Sequence, residues 1–155
     1  MTSADLEAVS ALDKLSFSLP WPERSFKFEL EENKVSRCWV TEIMKEDGSR
    51  ILAGMIVIWL IVDEAHVATV AVHPDYRRLG IARQLLAHTL LDAYHAGASR
   101  SFLEVRRGNL AAQGLYRQFG YEEIGVRPRY YQDNHEDAVM MNLEKIDLAR
   151  VQSLQ

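Results

Sequence analysis

Val70-Ala71-Val72-His73-Pro74-Asp75-Tyr76-Arg77-Arg78-Leu79-Gly80-Ile81-Ala82 is the stretch on which the reading of this sequence turns. It opens as the end of a β-branched strand, Ala65 to Val72. Pro74 stops that strand, because proline has no N–H to give a ladder. After Arg77, Arg78 and Gly80 the period changes. Ile81, Leu85, Leu86, Leu90 and Ala93 fall on one apolar face of a helix, which Gly97 closes as a C-cap. A helix start presents unpaired N–H groups and partial positive charge, and both suit a pyrophosphate. Gly80 removes a side chain where backbone would approach such a ligand, and Ala82 is nearly as small. Arg77 and Arg78 could add charge-assisted hydrogen bonds. Taken alone, the plainer reading is a turn with two solvated arginines, and a match this short does not displace it. The stretch is not a G-x-x-x-x-G-K-[ST] loop, and it lacks the first and last glycines of the dinucleotide fingerprint.

Upstream, Ile51 to Val62 reads as a buried strand between the turn dipeptides Asp47-Gly48 and Asp63-Glu64. With Trp39 to Met44 and Ala65 to Val72 it predicts an antiparallel meander. Leu6, Val9, Leu12 and Leu15 predict a first helix, with Asp5 placed to cap it and an end before Pro20-Trp21-Pro22. Ser25 to Glu32 predicts a second, short helix. Downstream, Phe102 to Val105 is a short strand. Asn109 can cap a helix that carries Leu115, Tyr116 and Phe119 and stops at Gly120. Glu122 to Val126 and Ala138 to Leu143 are the last strands, joined by a long polar loop. The later half therefore has the strand-helix-strand order that permits a parallel pair. The predicted class is mixed α/β, with one domain over residues 1–145 and a tail over 146–155 that is either helical or frayed.

Composition bounds the function. The chain has 155 residues, 48% hydrophobic and 26% charged, which suits one folded domain. Lys and Arg number 18 against 22 Asp and Glu, a formal charge of -4. That balance argues against nucleic-acid binding driven by bulk positive charge, so no direct nucleic-acid partner is expected. The single cysteine, Cys38, excludes an internal disulfide framework and a clustered-cysteine zinc site. The apolar run Ile51–Val62 is too short to span a bilayer as a helix. With no secretion signal in the sequence, the expected location is the cytoplasm, away from the membrane.

Around the opening stretch the sequence resembles the acetyl-CoA-binding segment of the GCN5-related N-acetyltransferases, whose pattern Q/R-x-x-G-x-G/A is met by Arg77, Gly80 and Ala82. Leu103-Glu104-Val105-Arg106, Asn109, Ala111-Ala112, Leu115-Tyr116 and Phe119-Gly120-Tyr121 resemble one branch. That branch comprises the ribosomal-protein-alanine N-acetyltransferases and related protein N-terminal acetyltransferases. Trp21 with its flanking prolines, Arg129-Tyr130-Tyr131 and Glu136-Asp137-Ala138 fit the same branch. The resemblance runs from about Leu6 to Glu144. It departs at the start: members usually place a strand before the first helix, and only Met1 to Ala4 stand there.

The resemblance implies a single domain with a mixed central sheet, an antiparallel meander and a splayed parallel strand pair, flanked by helices, its first strand missing or very short. It implies acetyl-CoA as cosubstrate and no metal. Backbone groups of Val70, Ala71 and Val72 would hold the pantetheine arm, and the Val72 N–H could polarise the thioester carbonyl. Arg77, Arg78, Leu79, Gly80, Ile81 and Ala82 would form the pyrophosphate loop, and Asn109 would touch the pantetheine. Trp21, Tyr130 and Tyr131 would border the acceptor groove, with the Arg127–Tyr131 and Asn134–Asp137 segments on one side and Phe26 beside Trp21 on the other. The implied partner is a protein or peptide N-terminus, that of a small-subunit ribosomal protein with N-terminal alanine.

Two residues are assigned chemistry. An α-ammonium, pKa near ~8, must lose a proton before it attacks, and a phenol near ~10 can serve a thiolate of reference pKa ~8.5. On the resemblance Glu104 is the base and Tyr116 the acid, with burial expected to raise the Glu104 pKa. From spacing alone, Glu104 reads first as a salt-bridge partner of Arg106 or another arginine, and Tyr116 as a core aromatic. His88 and His95 stand two turns apart, about 10 Å, too far to share a zinc. Lysine or small-amine acetylation on the same scaffold, and an acyl-CoA sensor without transfer, stand as alternatives. The sensor has no need of Glu104 and Tyr116.

Overall fold

The computed structural model describes all 155 residues. The elements are α1 (Leu6–Ser16), α2 (Glu23–Glu31), β1 (Ser36–Met44), β2 (Arg50–Ile61), β3 (Glu64–Val72), α3 (Ile81–His95), β4 (Arg100–Arg106), α4 (Leu110–Phe119), β5 (Glu122–Arg127), β6 (Ala138–Leu143) and α5 (Leu148–Ser153). They form one six-stranded sheet in the order β1-β2-β3-β4-β6-β5. Only β3 and β4 run parallel. The meander and the mixed α/β class are as the sequence predicts; β1, β3, β4 and β5 extend one to three residues beyond their predicted ends, β2 runs one residue earlier at both ends, and β6 has the predicted bounds. No strand precedes α1. The Met1 amine instead donates to the Cys38 carbonyl at 3.2 Å, against edge strand β1. Asp5 does not cap α1. It sits in a 3₁₀ turn, where its carboxylate accepts from the Thr2 N–H and hydroxyl.

The sheet is covered on both faces, which is why β2 reads as an unbroken apolar run rather than an alternation. Ile56 and Ile58 pack with Leu85, Leu86 and Leu90 of α3 and with Tyr116 and Phe119 of α4. Met55 and Val57 pack on the opposite face with Val9, Leu12 and Phe26 of α1 and α2. Gly54 allows α3 to approach β2: a Cβ there would stand 2.7 Å from the Ile81 side chain. The tail does not fray. Ile146 and Val151 are buried in the α3 core, and Arg150 donates to the Gln118 carbonyl at 2.8 Å.

The feature that makes the site lies in the middle of this sheet. β3 pairs with β4 only from Glu64 to Val67, against Arg100 to Leu103. Immediately beyond, β3 carries an extra residue, Ala68, relative to β2. Such a bulge bends its strand and ends local pairing. The two strands then diverge, and a wedge opens between Ala68–Val72 and Glu104–Arg106.

Candidate active site

The wedge opens into two connected clefts. The larger, about 1020 Å³, runs between the 76–83 loop and the start of α4. The smaller, about 450 Å³, lies on the α1–α2 side and reaches Trp21, Glu104, Arg106 and Tyr131. Ser16, Phe17, Val70, Asn109, Ala112 and Tyr116 line both, so these residues mark the junction.

The β3 edge of the wedge is built of backbone. The His73 N–H donates to the Ala53 carbonyl at 2.9 Å, fixing which residues of β3 bond to β2. In an antiparallel ladder these alternate. Ala71, opposite Met55, therefore turns its backbone to β2, whereas Val70 and Val72 turn theirs into the wedge. The Val72 carbonyl accepts from Arg77 Nε at 3.2 Å, which pins the start of the loop. Of the three β3 residues named from the sequence, Val70 and Val72 present free edges to the wedge, Val72 through its N–H alone, and Ala71 is a buried spacer packed towards α1 and α2.

The loop that follows is shaped for an anion. Arg78 and Gly80 have φ of 68° and 82°. Gly80 adopts the left-handed conformation without the side-chain cost that an L-residue bears there. Between the Arg77 N–H, which bonds to Pro74, and the Gln84 N–H, which bonds to Gly80, no backbone N–H has a protein partner. The unpartnered groups are those of residues 78–83. They surround the N-terminus of a helix of 15 residues, whose dipole adds to their attraction for a phosphate. Arg77, Arg78, Leu79, Gly80, Ile81 and Ala82 all line the larger cleft, with Arg83 beside them. Asn109 caps α4, its Oδ1 accepting from the Ala112 N–H at 3.1 Å, which leaves its amide nitrogen for the junction.

Glu104 and Tyr116 approach the wedge from opposite faces of the sheet. Alternation along β4 buries Leu103 and Val105 in the α3–α4 core and turns Glu104 and Arg106 to the other side. The apolar burial expected for Glu104 is therefore absent. Its carboxylate instead meets Arg127 Nε at 2.9 Å. The salt bridge expected from spacing exists, and its partner is Arg127 rather than Arg106. Tyr116 is 5% exposed and tilts against Tyr121 at 5.8 Å. Burial pushes its phenol well above the ordinary range, with a smaller push from Tyr131. Its hydroxyl stays protonated through neutral pH.

The smaller cleft is built of side chains. Trp21 stacks on Phe26 at 5.2 Å, and the Trp21 backbone N–H donates to Asp13 Oδ2 at 2.6 Å. Phe26 itself is fully buried, so it supports the groove wall without touching the groove. Tyr131 lines the cleft with the Arg106 guanidinium 3.9 Å from its ring centre. Burial pushes its hydroxyl up to about 12. Tyr130 stands one layer out, edge-on to Tyr131 at 5.2 Å, its own pKa raised by the neighbouring Glu104 carboxylate and by burial. Phe17 and Asp13 escaped the sequence reading. Phe17 follows the last helical turn and carries no motif, and Asp13 looks like any polar position of an amphipathic helix.

Residues 6–121 match the Acetyltransferase (GNAT) family. The chain belongs to that family. It is an acetyl-CoA-dependent N-acetyltransferase, and the wedge, the unpartnered loop N–H groups and the open cleft fit an elongated pantetheine diphosphate. No cluster of His, Cys, Asp or Glu has the arrangement of a metal site, and no helix is long and apolar enough to cross a membrane. Relatives include a Bacillus subtilis (strain 168) protein provisionally named a ribosomal protein bS18-alanine N-acetyltransferase. It is 38% identical over 91% of this chain and 90% of its own length. The bS18-alanine N-acetyltransferase of Escherichia coli K12 is 31% identical over 92% of this chain and 93% of its own. The crystal structure of the Escherichia coli ribosomal-protein-S18-alanine N-acetyltransferase superposes with a TM-score of 0.79 and 30% identity. It covers 95% of this chain and 91% of that one.

Proposed function

We propose that this acetyltransferase modifies the α-amine of a protein N-terminus, the N-terminal alanine of ribosomal protein bS18. The observation that carries the reading is the junction. The anion-ready cleft and the side-chain groove meet at Val70, Phe17 and Tyr116, so a thioester and an amine can meet there from opposite ends. The bS18 acceptor is taken from the relatives' names, supported by likeness over nine-tenths of both chains.

In this reading residues 78–83 bind the pyrophosphate, and the free edges of Val70 and Val72 hold the pantetheine arm. The Val72 N–H stabilises charge that develops on the thioester oxygen. Asn109 steadies the pantetheine near the junction. Glu104, from the α1–α2 side, receives a proton from the acceptor ammonium, directly or through a water. The freed amine attacks the thioester carbonyl carbon, the carbon–sulfur bond breaks, and the acetyl group passes to nitrogen. Tyr116 faces the departing sulfur. Its raised pKa makes full proton transfer to a thiolate of reference pKa ~8.5 uphill. Its work is hydrogen bonding to the sulfur as negative charge grows. Trp21 and Tyr131 wall the acceptor groove, and Tyr130 acts on it through Tyr131 and Glu104.

Initial rates on peptides that share the bS18 N-terminal sequence test this. One begins with free alanine, one has that α-amine blocked and its lysines kept, and one begins with leucine. Transfer to the free alanine peptide, at least tenfold faster than to the leucine peptide and absent from the blocked one, is expected. Transfer to the blocked peptide would make this a lysine acetyltransferase. Acetyl-CoA binding with no transfer to any peptide would move the acceptor to a small amine or leave a sensor.

A further inference from the structure

Arg106 ends β4 on the face that carries Glu104, and its guanidinium joins three segments that are remote in sequence. Nη2 donates to Asp133 Oδ2 at 2.8 Å and to Ser18 Oγ at 3.4 Å. Nη1 donates to Glu136 Oε2 and Asn134 Oδ1, each at 3.2 Å. Its flat face lies on Tyr131. The Ser18 hydroxyl also donates to Asp133 Oδ2. Glu136 in turn accepts from the Gly108 N–H at 2.6 Å. Ser18 belongs to the α1–α2 loop, and Asp133 to Glu136 belong to the β5–β6 loop. These loops are the two walls of the smaller cleft, and Ser18, Arg106 and Tyr131 all line it.

We propose that Arg106 is a positioning residue for acetyl transfer: with Asp133 and Ser18 it clasps the α1–α2 and β5–β6 loops into one arch over the acceptor groove before the acceptor arrives. Arginine suits this place because its planar fork serves several acceptors at fixed angles while stacking on an aromatic ring, which a lysine ammonium cannot do. The Ser18 contacts are the hydrogen bonds that reach the arch from the α1–α2 loop, so they form its openable joint. Hydrogen bonding and Arg106 hold the Asp133 and Glu136 carboxyls below the ordinary carboxylate range. A carboxylate so depressed keeps its pairing above its unfolded pKa and loses it only as pH falls through the depressed value. The arch is therefore intact through the neutral range, and salt opens it more readily than mild acid.

The proposal rests on the reading of the smaller cleft as the acceptor groove, and two measurements separate the two claims. In kinetics with the free-alanine bS18 peptide, Arg106→Gln raises the peptide KM about tenfold or more, the worth of lost charge-assisted hydrogen bonds, and leaves the acetyl-CoA KM within about twofold. Arg106→Lys recovers only part of this. Ser18→Ala, at an exposed position that does not threaten folding, raises the peptide KM a few-fold. Hydrogen exchange of the acceptor-free protein needs no substrate at all. Both Arg106→Gln and Ser18→Ala speed exchange of residues 17–21 about tenfold while α3 and β2 keep wild-type protection. Unchanged exchange in both variants overturns the arch, whatever the acceptor proves to be. An equal rise of both KM values, or a loss of kcat alone, overturns its action on the acceptor side.

Discussion

The two halves of the cleft are made of different material. The larger half is backbone: the free edges of Val70 and Val72 and the unpartnered N–H groups of residues 78–83. The smaller half is side chains: Trp21, Glu104, Arg106 and Tyr131, fixed by contacts between residues as far apart as 115 positions. A backbone site tolerates most substitutions, because it asks only for conformation and small residues. A side-chain site is lost or retuned by single changes. One scaffold can thus keep one acyl donor while its acceptor varies.

Changes at the junction should have the largest effect, since both halves share it. Tyr116→Phe removes the hydroxyl that faces the leaving sulfur, and kcat is expected to fall on the order of 10²-fold or more. Acetyl-CoA affinity, measured by calorimetry, should stay within about twofold, because the phenyl ring still fills the core. A wild-type rate would remove Tyr116 from the chemistry. Glu104→Gln comes next. It is expected to lower kcat by tens of fold and to change the shape of the pH–rate profile. An unaltered profile would leave Glu104 as Arg127's partner alone.

A smaller effect is expected in the backbone half. Gly80→Val places a β-branched residue at a φ of 82°. A Cβ there meets only the mobile end of the Arg83 side chain, at 3.4 Å, which leaves conformation as the main cost, about 1–2 kcal/mol. Acetyl-CoA binding should weaken roughly tenfold with the peptide KM unchanged. A peptide KM that moves in parallel would mean the halves are not separable.

The smallest effect concerns stability. Asp13 is fully buried beneath the groove wall, and burial raises its carboxyl pKa, partly opposed by the Trp21 N–H. The folded state then holds a proton that the unfolded state has released. Stability falls as pH rises from the ordinary aspartate value through the raised one, and stays lower above it. Asp13→Asn still accepts from Trp21 and removes that slope. Its Tm should exceed wild type at neutral pH and converge with it in acid. A parallel Tm–pH curve would contradict this.

This contrast also explains what the sequence disclosed. The backbone half was legible because its constraints are local. A strand stop, a glycine at a left-handed position and a helix start lie within Pro74 to Ala82, and the apolar period of α3 follows at once. The meander was legible for the same reason, from Asp47-Gly48 and the β2 run. The wedge itself was not, because a bulge at Ala68 leaves no compositional mark. The surroundings of Glu104 were misjudged: its neighbours Leu103 and Val105 suggested apolar burial, whereas the pleat sends it to the opposite face. The Glu104–Arg127 pair and the Arg106 arch join residues more than 20 positions apart, and their pairing appears only when β5 and the β5–β6 loop fold back. Asp5 has the chemistry of a cap, yet an extra 3₁₀ turn takes its carboxylate.

The atom on which the acetyl group lands is the most direct test. Purified enzyme, acetyl-CoA and intact bS18 with an unmodified N-terminus would be incubated, and the product sequenced by tandem mass spectrometry. One acetyl group on the α-nitrogen of the N-terminal alanine, and none on lysine, is the predicted result. Acetyl groups on lysine side chains, or an unmodified bS18 alongside bound acetyl-CoA, would contradict it.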